Sequence, residues 1–537
     1  MNRVPFVIRK PFLAAVLTAC GLGAGGASAL AGSDLARLGT VEFEVGCSAA
    51  AQQDFNRSMA LYHSFAWGHA IPAFEAIAQT DPTCGMAHFG RAMAMLDNPF
   101  GWPGNLPPEK LDNVAAALQA ARSAGLHSER ERAYVEAVEA FVADHQARDH
   151  RTRVQAFEEA LGALAAAYPE DTEASILHAL VTSANFDPSD KTYANQLRAA
   201  AILEPLFEAQ PEHPGVAHYL IHTFDYPPIA QQGLEAAQRY ASIAPDAPHA
   251  LHMPSHIFTR LGHWQASIDS NRASAQAAGA ASFNGHHASD YMVYAHLQLG
   301  QDNAARQSME QSLALDPIDH FGAAYAYAAM PARVALERDD WEAAATLSLA
   351  MADSYPWSKY PQAEAVNAFA RGIGAAQSGD AAAAREQQAR LVALRDAAQA
   401  PYWIEQIDIQ ADVVGALALC ADGEQDDCIE ALRQAAARED ASEKHVVTPG
   451  PILPARELLA ETLLESGQPG EALAEYEAVL MKEPSRLRAT AGAMIAAERA
   501  GLVDEAQEHA RILLTQTAQA DAERPSLQDA SRLVAAE

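Results

Sequence analysis

Beyond its first thirty residues the chain has no apolar run near the ~20 residues that a membrane-crossing helix needs, so a bilayer could hold it only through a terminal anchor. Positive charge is scarce: 37 Lys and Arg stand against 69 Asp and Glu, for a formal net charge of −32. Nucleic-acid phosphates demand basic patches, so no nucleic acid is expected as a partner, nor tight binding to anionic lipid. The same acidity suits cationic ligands or metal ions, and it also simply keeps an Ala- and Glu-rich helical chain soluble. Cysteine is sparse, five in 537 residues, and no C-x-x-C occurs to suggest a redox enzyme. G-x-S-x-G, the P-loop, the dinucleotide fingerprint and a catalytic cysteine context are all missing, which removes the commonest hydrolases and nucleotide enzymes. Strand-like runs are missing too.

What the sequence has at its start is Arg3, Arg9 and Lys10 followed by the apolar run 12–17, the pattern of an export signal over residues 1–31. Leu17-Thr18-Ala19-Cys20-Gly21 resembles a bacterial lipobox, with Cys20 as the lipidated residue and the only membrane contact. Ala27-Ser28-Ala29 and Ala29-Leu30-Ala31 would each serve ordinary signal peptidase, so a lipid-anchored and a soluble periplasmic form both stay open. A short linker is expected up to residue 46. Export to an oxidising compartment makes two disulfides, Cys47 with Cys84 and Cys420 with Cys428, the expectation for the remaining cysteines.

From residue 47 to 537 the chain reads as Ala-rich amphipathic helices separated by short Gly, Asp or Pro turns, a single all-α domain. Phrases recur: Trp67-Gly68-His69-Ala70 with Phe74 and Asp81-Pro82; Leu261-Gly262-His263-Trp264; Leu299-Gly300; Asp340-Trp341-Glu342-Ala343-Ala344; Gly467-Gln468-Pro469-Gly470-Glu471-Ala472 with Tyr476 and Glu483-Pro484. They resemble the tetratricopeptide repeat, a helix-turn-helix unit of about 34 residues, and the stretch from HPGVAHYLIHTFDYP through APHALHMPSHIFTRLGHW looks like a distinctive exported bacterial branch of it. The resemblance implies a right-handed α-solenoid, with units starting near 51, 85, 214, 248, 286, 325, 365, 409, 453 and 487 and an off-register helical stretch over 110–210. It further implies that the first helix of each unit lines a concave groove able to take a peptide or small molecule.

Two H-x-x-x-H pairs stand one repeat apart, His218 and His222 in HYLIH and His252 and His256 in HMPSH, each residue 34 positions from its counterpart. An i,i+4 spacing points both imidazoles of a pair the same way on a helix, and equivalent positions of successive repeats sit on neighbouring helices. Four ring nitrogens should then meet across one helix seam, within the reach of metal–nitrogen bonds of ~2.0–2.1 Å. Imidazole donors suit zinc, copper or iron rather than calcium or magnesium. His249, His287 and Asp290 fall at adjoining groove positions; His249 and Asp290 are further candidate ligands, and Tyr294 and Arg333 are a candidate proton donor and anion clamp. Pro254 should break or restart its helix and re-aim His256 against His252. The loop 97–104 is proline-stiffened and aromatic, a candidate lid or an edge packing element. His63 reads as structural. Three functions follow: a metal site acting on a small molecule or peptide, an envelope interaction scaffold whose histidines only make hydrogen bonds, or metal storage and delivery.

Overall fold

The computed structural model describes residues 35–102, 104, 106–279, 282–351 and 354–535. The expected export signal and Cys20 lie outside these, as does Pro103 of the candidate lid. Among the described residues there are α-helices and short 3-10 turns and no strand, and no helix is long and apolar enough to cross a membrane.

Successive helices pack against one another along the chain, the arrangement of an all-α solenoid. The repeated phrases create the same contact far apart in sequence. Phe74, on the helix Trp67–Thr80, lies over Gly90 of the next helix, where a Cβ would stand 2.3 Å from its ring. Tyr476, on Pro469–Lys482, lies over Gly492 in the same way, with 2.2 Å left for a Cβ. A bare backbone at these positions lets an aromatic ring seat between consecutive helices, and packing of this density is what a stack of incomplete repeat cores requires. Between the paired helices Gly300 and Gly467 adopt φ of 67° and 77°, which closes the turn at no steric cost.

The segment expected as a linker is partly structural. Val41, Phe43 and Val45 are buried and alternate with the exposed Glu42 and Glu44, so an extended strip of backbone lays one face on the first helices. Phe43 meets Phe55, Phe89 and Tyr134 edge-on or tilted. This alternation is a period-2 signal in a stretch taken for a linker.

One core runs from Leu38 to Ile257 and a second from Ala323 to Leu533, with smaller apolar groups between them. The C-terminal half returns onto the middle of the chain. The Trp264 indole donates to the Ser485 carbonyl at 3.1 Å, Leu487 N–H donates to Gln298 Oε1 at 2.8 Å, and Tyr291 Oη donates to the Thr448 carbonyl at 3.1 Å. The middle helices that the repeat register placed along an open groove therefore bond to the segment 444–454 and the helices after it.

Both cysteine pairs lie at bonding distance, with Cα atoms 4.8 Å apart for Cys47 and Cys84 and 5.3 Å for Cys420 and Cys428. In the loop-entropy picture the first bridge, with a sequence separation of 37, is worth about 4 kcal/mol and the second, with a separation of 8, about 2–3 kcal/mol. Replacing Cys47 and Cys84 by serine should therefore lower the melting temperature more than replacing Cys420 and Cys428. Thiol titration of the unfolded, unreduced protein checks the pairing itself: four reactive thiols from these residues would overturn it.

Candidate metal centre

The HYLIH helix, Pro214–Phe224, starts with Pro214 at its first position, and the His213 ring caps it by accepting from Val216 N–H at 3.3 Å. It lies against the end of the helix Ala49–His63. Gly215 permits this approach, since a Cβ there would fall 2.5 Å from His63 Nδ1. The HMPSH stretch is divided as Pro254 dictates, into Pro248–His252 and Pro254–Arg260, and His256 N–H bonds the Met253 carbonyl at 3.1 Å. His252 and His256 nevertheless point to the same place.

The structure gathers six histidines in two threes. Ring nitrogens of His218, His222 and His249 all lie within 4.8 Å of one another, and so do those of His252, His256 and His287. The four histidines of the two pairs therefore do not close on one point; each pair recruits a third partner, His249 from Pro248–His252 for the first pair and His287 from Phe283–Gln298 for the second. Each three has its own aromatic wall. Phe65 contacts His218, His222 and His249 with ring centroids at 4.3, 5.7 and 5.4 Å. Tyr291 contacts His252, His256 and His287 at 4.8, 5.3 and 5.2 Å. Phe65 holds a φ of 53°, a left-handed conformation that a bulky residue adopts only where its surroundings impose it.

Hydrogen bonds to acceptors fix the protonated nitrogen in three of the six rings. His252 Nδ1–H donates to Asn271 Oδ1 at 2.6 Å, and the Asn271 amide is itself oriented because its Nδ2 donates to the Ser267 carbonyl at 2.8 Å. His256 Nδ1–H donates to the Asp225 carboxylate at 2.8 Å. His218 Nδ1–H donates to the His63 carbonyl at 2.6 Å. With Nδ1 protonated, each Nε2 is a bare lone pair. Yet His252 Nε2 and His256 Nε2 stand 3.0 Å apart, whereas His218 Nε2, 3.1 Å from His249 Nε2, can accept from that ring when its Nε2 carries the proton. His222 is buried, its ring stacked on Phe100 at 4.1 Å, and neither of its nitrogens has a hydrogen-bond partner.

Burial pushes all six imidazoles below their ordinary range, and the neighbouring rings add to it for each except His256, which Asp225 opposes. Burial thus favours the neutral imidazole, the form that ligates metal. Asp225 is the anionic support behind them. Although burial works against its charge, Lys444 and Arg260 hold its carboxyl well below the usual range. It accepts from Arg260 Nε at 2.8 Å and from Lys444 Nζ at 2.9 Å as well as from His256.

A third group, His63, Glu173 and His213, has metal-like spacing but is satisfied by protons alone. His63 Nε2–H and His213 Nε2–H donate to the two oxygens of Glu173 at 3.0 and 2.7 Å, while His63 Nδ1 accepts from Tyr219 Oη at 2.8 Å and His213 Nδ1 caps its helix. Every ring nitrogen of His63 and His213 thus has a hydrogen-bond partner within the protein.

Asp290, Tyr294 and Arg333 go elsewhere. Arg333 Nε donates to Asp290 at 2.9 Å, and the guanidinium also donates to Thr448 Oγ1 and the Gly450 and Pro451 carbonyls, so it anchors the segment 448–451. Burial raises the Asp290 carboxyl above its usual value, against the pull of Arg333. Tyr294 donates to Glu483 at 3.1 Å and accepts from Arg486 at 3.1 Å. These three are wholly buried and bonded to the protein's own groups. The groove register assigned them to a ligand because it took the concave face to be open.

Next to Asp225 lies a cavity whose walls include Arg260 and Lys444 together with Tyr325, Tyr402 and Trp403.

No protein-family model matches the chain, and no curated protein does. Solved structures of helical-repeat proteins do align with it. The APC/C hetero-tetramer Cut9–Hcn1 gives 13% identity over 84% of this chain and 77% of that one, with a TM-score of 0.31. The P58(IPK) TPR domain gives 13% identity over 91% and 99%, with a TM-score of 0.21, and Naa15/Naa10 bound to HypK-THB gives 12% over 90% and 79%, with a TM-score of 0.24. Scores this low carry no inference about function, and the fold rests on the chain's own helices: it is an all-α solenoid of consecutively packed helices.

Proposed function

We propose that the protein is an exported metalloprotein whose buried histidines hold a divalent transition metal, zinc, copper or iron, for use on a small-molecule or peptide substrate. One observation carries this reading: His252 and His256 aim bare Nε2 lone pairs at each other across 3.0 Å, each held there by an acceptor on its other nitrogen. Two lone pairs at that distance repel unless a proton or a metal ion lies between them. Two nitrogens bonded at ~2.0–2.1 Å to one tetrahedral ion stand about 3.3–3.4 Å apart, close to what is observed. Hydrogen-bonded Nδ1–H groups behind metal-facing Nε2 atoms are also how metal-ligating histidines are oriented. His249, half-buried, is the least covered of the six, which leaves a side for a substrate to approach. The cavity beside Asp225 is walled by aromatic rings and by charges of both signs, Arg260, Lys444 and Lys482 with Glu439 and Glu483, and suits an aromatic group of such a substrate.

The test is metal analysis of the purified mature protein. Stoichiometric transition metal is expected, together with stabilisation by added metal of about 2.7 kcal/mol at a hundredfold excess over Kd. The His252→Ala, His256→Ala double variant should lose metal bound between those residues while keeping its helical circular dichroism. If no transition metal co-purifies and none raises the melting temperature, the metal reading falls and the interaction scaffold takes its place.

A further inference from the structure

The six histidines are too many for one ion and are not arranged around one. A four-coordinate centre with an open position takes three protein ligands, and the structure supplies three twice. Each three contains one close nitrogen pair of its own, 3.1 Å for His218 with His249 and 3.0 Å for His252 with His256. Each is walled by its own aromatic ring, Phe65 or Tyr291. The two threes also adjoin. Ring centroids of His222 and His256 are 5.9 Å apart and those of His249 and His252 6.2 Å, no farther than the 6.3 Å between His222 and His249 inside one three. His222, buried with two unpartnered nitrogens, belongs to the first three and contacts the second.

The donor set has a chemical bias. Neither three contains a carboxylate: Asp225 binds His256 through its Nδ1, and Asp290 is turned to Arg333. Paired hard ions are usually held by oxygen ligands, whereas neutral imidazoles suit copper and zinc. Three neutral nitrogens per ion leave each ion's charge uncompensated, so the free positions favour a small anionic or oxygen-donor ligand.

Resting on the metal reading above, we propose that the protein carries a dinuclear centre, one copper ion in His218, His222 and His249 and a second in His252, His256 and His287, with open positions for a small anionic ligand.

The experiment loads the metal-stripped full chain with copper(II), removes excess by gel filtration, and measures bound copper and electron paramagnetic resonance intensity. Wild type should hold two coppers per chain, with fewer detectable spins than coppers once a bridging anion couples the two ions. His222→Leu and His287→Leu should each hold one copper whose spin is fully detected, and azide should perturb the wild-type spectrum. One copper per wild-type chain would overturn the dinuclear centre and leave the metal reading standing. No bound copper, zinc or iron would remove both. Two coppers retained in the His222→Leu, His287→Leu double variant would place them elsewhere and overturn the assignment. Should a leucine variant fail to fold, anomalous scattering from copper-loaded wild-type crystals decides: two peaks, one at each three, are expected, and a single peak refutes the pair.

Discussion

Arg486→Ala is expected to destabilise the fold by about 3–5 kcal/mol, the usual consequence of removing one partner from a buried ion pair. The Arg486 guanidinium is fully buried and has no water to fall back on. Its Nε donates to Glu457 at 2.6 Å, a second nitrogen reaches the same carboxylate at 3.2 Å, a third contact joins Glu337 at 2.8 Å, and Nη1 donates to Tyr294 at 3.1 Å. Burial already raises the Glu457 carboxyl above its usual value with the arginine in place. Without it, Glu337 and Glu457 face each other unscreened, and Arg488, which bonds Glu457 at 2.8 Å, can satisfy only one of them. The loss should appear as a lower denaturation midpoint followed by tryptophan fluorescence. Adding Glu337→Gln to Arg486→Met should recover part of it, because the cost lies in the stranded charge rather than in the missing contact. An Arg486→Ala protein as stable as wild type would show that this network contributes nothing to closing the C-terminal half onto the middle helices.

That network also explains what the sequence could and could not disclose. The helices, the turns and the two H-x-x-x-H pairs were legible because they are local: a spacing of four and a period of 34 suffice to put His218, His222, His252 and His256 on one seam. His249 was legible for the same reason. His287 was named at a groove position yet left out of the ligand set, because the interval to its unit is 38 rather than 34 and its register against His252 had no local marker. The return of the C-terminal half onto the middle helices left no periodic trace. It depends on contacts such as Lys444 with Asp225, Arg333 with Gly450 and Tyr294 with Glu483, each between residues more than a hundred positions apart. Hence Asp290, Tyr294 and Arg333, read as groove residues, turned out to be interior ones. The third histidine group is of the same kind: Glu173 lies in the off-register stretch, 110 positions from His63 and 40 from His213. The alternation of Val41, Phe43 and Val45 with Glu42 and Glu44 was present in the sequence, but it is short, stands alone in an otherwise helical chain and precedes the first helix, so it read as a linker.

Asp225 joins these two kinds of information, since its position at the end of HYLIHTFD is local and its partners are not. It receives His256 Nδ1–H, Arg260 and Lys444 together, so one carboxylate orients a candidate ligand and neutralises two buried cations. Burial lowers the Lys444 ammonium to about 8 even though Asp225 supports its charge. Asp225→Ala should therefore do two things at once. It strands Arg260 and Lys444, with an expected loss of about 3–5 kcal/mol, and it frees the His256 ring, which should weaken metal binding about 10–100-fold, the common effect of deleting a partner behind a ligating histidine. Asp225→Asn separates the two. Its amide oxygen can still accept from His256 but cannot balance the cations, so stability should fall while metal affinity falls less than in Asp225→Ala. Lys444→Met tests the remaining arm: it removes a cation whose burial is costly and leaves the His256 bond in place, so metal affinity should hold or rise. The measurements are metal affinity by competition with a chromophoric chelator and the denaturation midpoint for each variant. If Asp225→Ala binds metal as tightly as wild type, the carboxylate serves only its two cations and His256 is held by packing alone.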